Sequence, residues 1–220
     1  MSREAKILIG ILVVVVGGMI GLFIYANQGS SSSAGVGPAV SDQTLLKSDT
    51  HHEGNGSVKL VEFGDYQCPA CGAAYPVVKQ IMKEYNGKVT LYFRNFPLTN
   101  LHPNAMAAAN AAEAAADQGK FWEMHDALYE HQDDWAKLPT DQAADKWASY
   151  ATALGLDGDK IKAAAVGETK KDRIAADIND GNTLQIQGTP TFFVNDHQVT
   201  AGNSYDDLKA AIEAALHSGK

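Results

Sequence analysis

Two cysteines, the only two in 220 residues, stand as Cys68-Pro69-Ala70-Cys71 between a strand-like run and a helix-like run. Val58-Lys59-Leu60-Val61-Glu62-Phe63 is short, rich in β-branched residues and bounded by Gly, the pattern of a buried strand. The helical run that follows carries Val77, Val78, Ile81 and Met82 as far as Tyr85, and Asn86-Gly87 closes it. A helix N-terminus presents unsatisfied N–H groups and the positive end of the macrodipole, so a sulfur placed there is stabilised as the thiolate. Cys68 is thereby the exposed nucleophile. Cys71 lies one turn deeper on the same face, close enough to close a disulfide, and is the resolving thiol.

The periodicity on either side of this junction sets the architecture. Val89-Thr90-Leu91-Tyr92-Phe93 is a second strand, so the first unit is βαβ with a parallel pair. Apolar residues then recur at helical spacing over 104–118, 121–131, 141–154, 159–166 and 169–180. Five helices in succession are too many for a crossover and indicate an inserted helical subdomain. Trp122, Trp135 and Trp147 belong to its core or its interface. Strand character returns at Thr191-Phe192-Phe193-Val194, Asn195-Asp196 turns the chain, and Gln198-Val199-Thr200 comes back antiparallel. Ser204 with Asp207 forms a capping box for a last helix that carries Leu208, Ile212 and Leu216.

The N-terminus follows a different rule. Ile7 to Ala26 is a run of twenty residues without a charge, long enough to cross a bilayer core of about 30 Å. Arg3 and Lys6 precede it and the next basic residue is Lys47, so the positive-inside rule puts residues 1–6 in the cytoplasm and everything after Ala26 outside. The run exceeds a usual signal-peptide core, which favours a retained anchor contacting the bilayer through residues 7–26. Residues 27–44, rich in Ser and Gly, read as a flexible linker before the folded part. Outside the membrane a cysteine pair is oxidised or cycling rather than held reduced.

The net charge of −8 and the absence of a Lys/Arg cluster argue against a nucleic-acid surface. A zinc site would need two more ligands at known spacing. No third Cys exists, and His51-His52 fall in what reads as a lead-in loop. As a mere structural staple, the Cys68–Cys71 loop is too short to gain much chain entropy.

The chain resembles the DsbA-type thiol–disulfide oxidoreductases of thioredoxin fold. The resemblance rests on Phe63-Gly64-Asp65-Tyr66-Gln67-Cys68-Pro69-Ala70-Cys71 and on Gly188-Thr189-Pro190-Thr191-Phe192-Phe193-Val194-Asn195. The stretches Phe96-Pro97-Leu98, His102-Pro103-Asn104-Ala105 and Gly119-Lys120-Phe121-Trp122-Glu123-Met124-His125 add to it. It implies an α/β thioredoxin-like domain of residues 45–98 and 184–220, with residues 99–183 as the helical insert. It also implies a cis Pro190 facing the cysteines, and Thr189 as the residue that touches substrate and tunes the Cys68 sulfur. Glu62 matches the buried acid that exchanges a proton with Cys71, and burial would raise its pKa as that role needs. Pro69 and Ala70 complete the motif. Ala70 stands where oxidising members often carry a thiolate-stabilising histidine, which moves the couple some tens of millivolts, to order of magnitude, toward the reducing side.

The function so implied is extracytoplasmic donation of the Cys68–Cys71 disulfide to reduced exported polypeptides, with re-oxidation by a membrane quinone-linked protein. No cofactor beyond the cysteine pair is called for. A reductase or isomerase of the same fold is one alternative. A tethered chaperone-like module holding unfolded chains at the Pro190 edge is the other.

Overall fold

Two strands covered on both faces form the centre of the molecule. In the computed structural model, which describes residues 35–219, β3 (Val58–Gly64) is buried at every position but Lys59. β4 (Val89–Asn95) is buried at every position but Tyr92. They pair in parallel, with Val58 opposite Val89 and Glu62 opposite Phe93. β5 (Thr191–Val194) runs antiparallel along the other side of β3, placing Phe192 opposite Glu62. β6 (His197–Val199) returns beside β5.

Both sheet edges depart from the sequence reading. The linker expected over 27–44 ends earlier, because β1 (Val36–Ala39) pairs antiparallel with β6. α1 (Asp42–Leu45) then makes one turn and buries Leu45 completely. At the opposite edge, β2 (His51–Gly54) pairs antiparallel with β4, where a loop was expected. Edge strands are held by backbone hydrogen bonds and need no apolar side chains, which is why Gly37-Pro38 and His51-His52 looked like loop. The sheet order is β1-β6-β5-β3-β4-β2. The expected cytoplasmic tail 1–6, span 7–26 and linker up to residue 34 lie outside the described residues. Among the described residues, no helix is long and apolar enough to cross a membrane.

α2 (Pro69–Glu84) follows β3, and α9 (Tyr205–Ser218) ends the fold with the Ser204–Asp207 capping box in place. Between β4 and β5 come α3 (Ala105–Ala116), α4 (Phe121–Glu130), α5 (Gln132–Trp135), α6 (Thr140–Ala153), α7 (Gly158–Gly167) and α8 (Lys171–Thr183). The sequence predicts five of these six helices, and the single turn of α5 is the addition. α2 and α9 cover one sheet face over Leu60, Leu91 and Phe192. Val61, Phe63 and Phe193 face the other way and pack on Leu45, Phe96 and Ile186.

The insert has its own core around α3, whose alanines give strong helix propensity and let neighbouring helices approach closely. Trp135 and Trp147 are fully buried there, edge to face at 5.2 Å. Tyr66, Cys68, Cys71 and Phe93 belong to this same core, so the insert and the cysteine motif share one packed interior. α3 also ties in β2: the Glu113 carboxylate lies 2.9 Å from His51 Nε2 and accepts from Asn95 Nδ2 at 2.7 Å. On the other sheet face, fully buried Arg94 pairs with Asp177 at 2.5 Å and Asp180 at 2.6 Å.

Candidate active site

The chain leaves β3 at Gly64, crosses three residues and enters α2 with Cys68 as N-cap and Pro69 as the first helical residue. Proline suits that position because its missing N–H would find no partner there anyway. Pro69 and Ala70 are exposed, whereas Cys68, expected to be exposed, retains only 7% of its surface because it packs into the core shared with the insert, and Cys71 retains none. Both thiols are free. The Thr189–Pro190 peptide bond is cis, and the Thr189 carbonyl accepts from Cys68 Sγ at 3.4 Å. Thr189 Oγ1 is buried without a hydrogen-bond partner.

The two sulfurs sit in opposite electrostatic settings. A hydrogen bond from the Cys71 thiol is the main influence lowering the Cys68 pKa to about 5, against the opposing effect of burial. The N–H groups of Cys71 and Ala70, the open end of α2, add to it. Burial above all, then the hydrogen bond to Cys68 and the charge of Glu62, hold Cys71 well above the ordinary thiol value. Glu62 lies on the sheet face covered by α2, between the fully buried rings of Phe93 and Phe192. Desolvation raises its pKa from 4.5 to about 8, and its Oε1 has no partner. It is a neutral acid at pH 7, placed beside the deeper sulfur.

The turn carrying Cys68 is fastened by residues that the sequence reading did not single out. Gln132 of α5 donates through Nε2 to the Tyr66 carbonyl at 2.7 Å and to the Cys68 carbonyl at 3.0 Å. A Cβ on Gly72 would meet Gln132 Oε1 at 2.5 Å, so glycine in the first turn of α2 makes room for that clamp. Gln67 bridges Ala136 O at 2.6 Å and the Asn104 amide at 2.5 Å. The hydroxyl of Tyr129, buried and unpartnered, would lie 3.0 Å from a Cβ on Gly64. Gly64, Tyr66, Gln67 and Asn104 stand in stretches quoted for the family resemblance, whereas Gly72, Tyr129 and Gln132 do not. Nothing local marks Gln132, whose partner turn is 64 residues away. Among the described residues, no group of His, Cys, Asp or Glu is arranged to hold a metal ion.

A β-α-β unit, a helical insert and a β-β-α unit around a Cys-X-X-Cys helix start define a thioredoxin-like thiol–disulfide oxidoreductase of the DsbA and BdbD type. The chain belongs to the thioredoxin family, whose model matches residues 48–214. It is 34% identical over 170 residues to the probable disulfide bond formation protein D of Bacillus anthracis, covering 72% of this chain and 74% of that one. The crystal structure of oxidised BdbD from Bacillus subtilis superposes with a TM-score of 0.69 at 26% identity, covering 83% of this chain and 98% of that one. A thioredoxin-like oxidoreductase from Silicibacter pomeroyi gives 0.66 at 27% identity, covering 81% and 99%. The chain is also 40% identical over 163 residues to a protein named Na(+)/H(+) antiporter NhaA 3 in Salinispora tropica, covering 74% of this chain. It spans only 24% of that longer relative, so the match is to a segment of it.

Proposed function

We propose that this enzyme is an oxidase, donating a Cys68–Cys71 disulfide to reduced exported polypeptides outside the cytoplasmic membrane, to which residues 7–26 anchor it. The observation that carries the reading is the divergence of the two thiols, with Cys68 at about 5 and Cys71 far above it beside Glu62. A substrate thiolate attacks Cys68 Sγ, the Cys68–Cys71 bond breaks, and Cys71 departs as a thiolate that takes the Glu62 proton. The substrate's second thiolate then attacks its own sulfur in the mixed disulfide, and Cys68 leaves as a thiolate. The substrate has lost two electrons and the cysteine pair has gained them.

Cys68 is a good leaving group because its thiolate is the stable form at neutral pH. That stability also favours the reduced enzyme, which makes the disulfide oxidising. Thr189 meets the sulfur from across the cis Pro190 bond, in position to receive an extended peptide. A membrane quinone-linked protein would take the two electrons and restore the disulfide, and no further cofactor enters the cycle. The probable disulfide bond formation protein of Bacillus anthracis carries the same class of activity in its name.

Three measurements test this. Cys68→Ser should abolish oxidative refolding of a reduced, disulfide-requiring substrate, and undiminished refolding would instead mean a chaperone-like holder. Equilibration with glutathione buffers should place the couple nearer about −120 mV than about −270 mV, and a value at the lower end would sink the oxidase direction. In intact cells, a thiol reagent that cannot cross membranes should label reduced Cys68, and protection would reverse the topology.

A further inference from the structure

Asp65 occupies the last turn before the cysteines and is fully buried, yet the exchange cycle described above does not use it. Its backbone N–H points at Cys71 Sγ, 3.5 Å away, and its carbonyl accepts from the Cys68 N–H at 3.1 Å. One residue therefore touches both halves of the motif through its main chain. Its carboxylate fixes that main chain in place. Oδ1 accepts from Gln67 N at 2.8 Å, and Oδ2 accepts from Leu98 N at 2.9 Å. The remaining bond to Oδ2 comes from the side chain of His102, whose Nδ1 is 2.7 Å away. His102 sits in the loop between β4 and α3 with 17% of its side chain exposed, and it is the only basic partner of Asp65 among the described residues. Without His102 the buried carboxylate would keep its two backbone donors and lose its one side-chain partner, and a buried charge less fully paired is held less firmly in its seat.

We propose that His102 is a positioning residue for Cys71, acting through Asp65. By donating to Oδ2 it keeps the Asp65 carboxylate in its buried seat, and the carboxylate keeps the Asp65 N–H aimed at the deeper sulfur. An N–H directed at sulfur stabilises the thiolate more than the thiol, so the bond strengthens when Cys71 carries charge. That moment recurs in either direction of exchange. In resolution of a mixed disulfide, Glu62 in its ionised form, the minor form at pH 7, takes the proton of Cys71, and the Cys71 thiolate attacks Cys68 Sγ. The Cys68–Cys71 bond forms and the bound partner leaves as a thiolate. The inference rests on exchange at Cys68 and Cys71 and not on whether the enzyme works as an oxidase.

The test mixes reduced full-length protein with oxidised glutathione and follows the Cys68–glutathione mixed disulfide by acid quench and mass spectrometry. In His102→Ala and in His102→Phe, which keeps a ring but has no donor, the mixed disulfide should form at the wild-type rate. It should then decay about threefold more slowly, since roughly one unit in the pKa of the attacking thiol cuts its thiolate fraction tenfold and raises the nucleophilicity of what remains about threefold. His102→Asn places an amide N–H where Nδ1 stood and should restore the decay. Wild-type decay in both donor-less variants would overturn the proposal. Slow decay in His102→Asn at an unchanged melting temperature would overturn it too. If the wild-type protein forms no mixed disulfide, exchange at Cys68 itself fails, a result distinct from equal decay rates.

Discussion

Glu62→Gln keeps the shape of a buried side chain and removes its titration, which makes the stability of this fold report on a single carboxyl group. Folding raises the Glu62 pKa from 4.5 to about 8, so the folded state holds the proton more tightly than the unfolded chain does. Below the unfolded value both states are protonated and the group costs nothing. From there up to about pH 8 the unfolded chain releases the proton while the folded protein keeps it, so stability falls as pH rises. At about 1.4 kcal/mol per unit, the loss reaches about 3 kcal/mol at pH 7 and about 4 kcal/mol at pH 8. Cys68 acts with the opposite sign. Its pKa is depressed to about 5 from 9.0, so it contributes stability that grows over that interval and is lost as pH falls through the lower value. Comparing the variant with wild type cancels the Cys68 contribution. Urea denaturation of the reduced proteins, followed by tryptophan fluorescence, should show the variant gaining on wild type by about 3–4 kcal/mol between pH 5 and pH 8. A gap that stays constant across that interval would refute a protonated, desolvated Glu62.

Thiolate absorbance of the reduced enzyme should titrate with a midpoint at about 5, and Cys71→Ala should move that midpoint up, because the Cys71 thiol is the main influence holding it down. An unmoved midpoint would assign the depression to the helix end instead. Gly72→Ala should cost about 1–2 kcal/mol in urea by displacing Gln132 from two carbonyls, while in a Gln132→Ala background the same change should cost nothing. Equal costs in both backgrounds would dismiss the clamp. Arg94→Met should destabilise by about 2–4 kcal/mol in urea, since it leaves the fully buried Asp177 carboxylate with Arg173 and the Asn95 N–H alone. A loss within about 1 kcal/mol would show that Arg173 by itself is enough to hold Asp177.

The elements legible in the sequence are those whose evidence is local. β3, β4 and β5 are apolar runs between turn residues, and the Ser204–Asp207 capping box announces α9 within four residues. β1 and β2 escaped because their contribution is main-chain hydrogen bonding, and the side chains of Gly37, Pro38, His52 and Glu53 carry no trace of it. α5 is a single turn, too short for a period to register. At the site, the positions of Cys68, Cys71, Glu62, Thr189 and Pro190 followed from motif spacing and family resemblance. The grip of Gln132 on the Cys68 carbonyl depends on how the insert packs, which no local pattern encodes. Arg94 and Asp177 are similarly silent, being 83 positions apart and each unremarkable in its own element.

Gln132 has a consequence for how such enzymes can be trimmed or recombined. The carbonyls it holds belong to the thioredoxin-like half, but the hand that holds them comes from the insert. A minimal protein made by excising the helices would keep both cysteines and the sheet, yet its reactive turn would have lost its outer support. Conversely, grafting Cys68-Pro69-Ala70-Cys71 onto another thioredoxin scaffold would transfer the letters of the motif and leave its anchorage behind. The portable unit is the motif together with α5 and the packing that seats it.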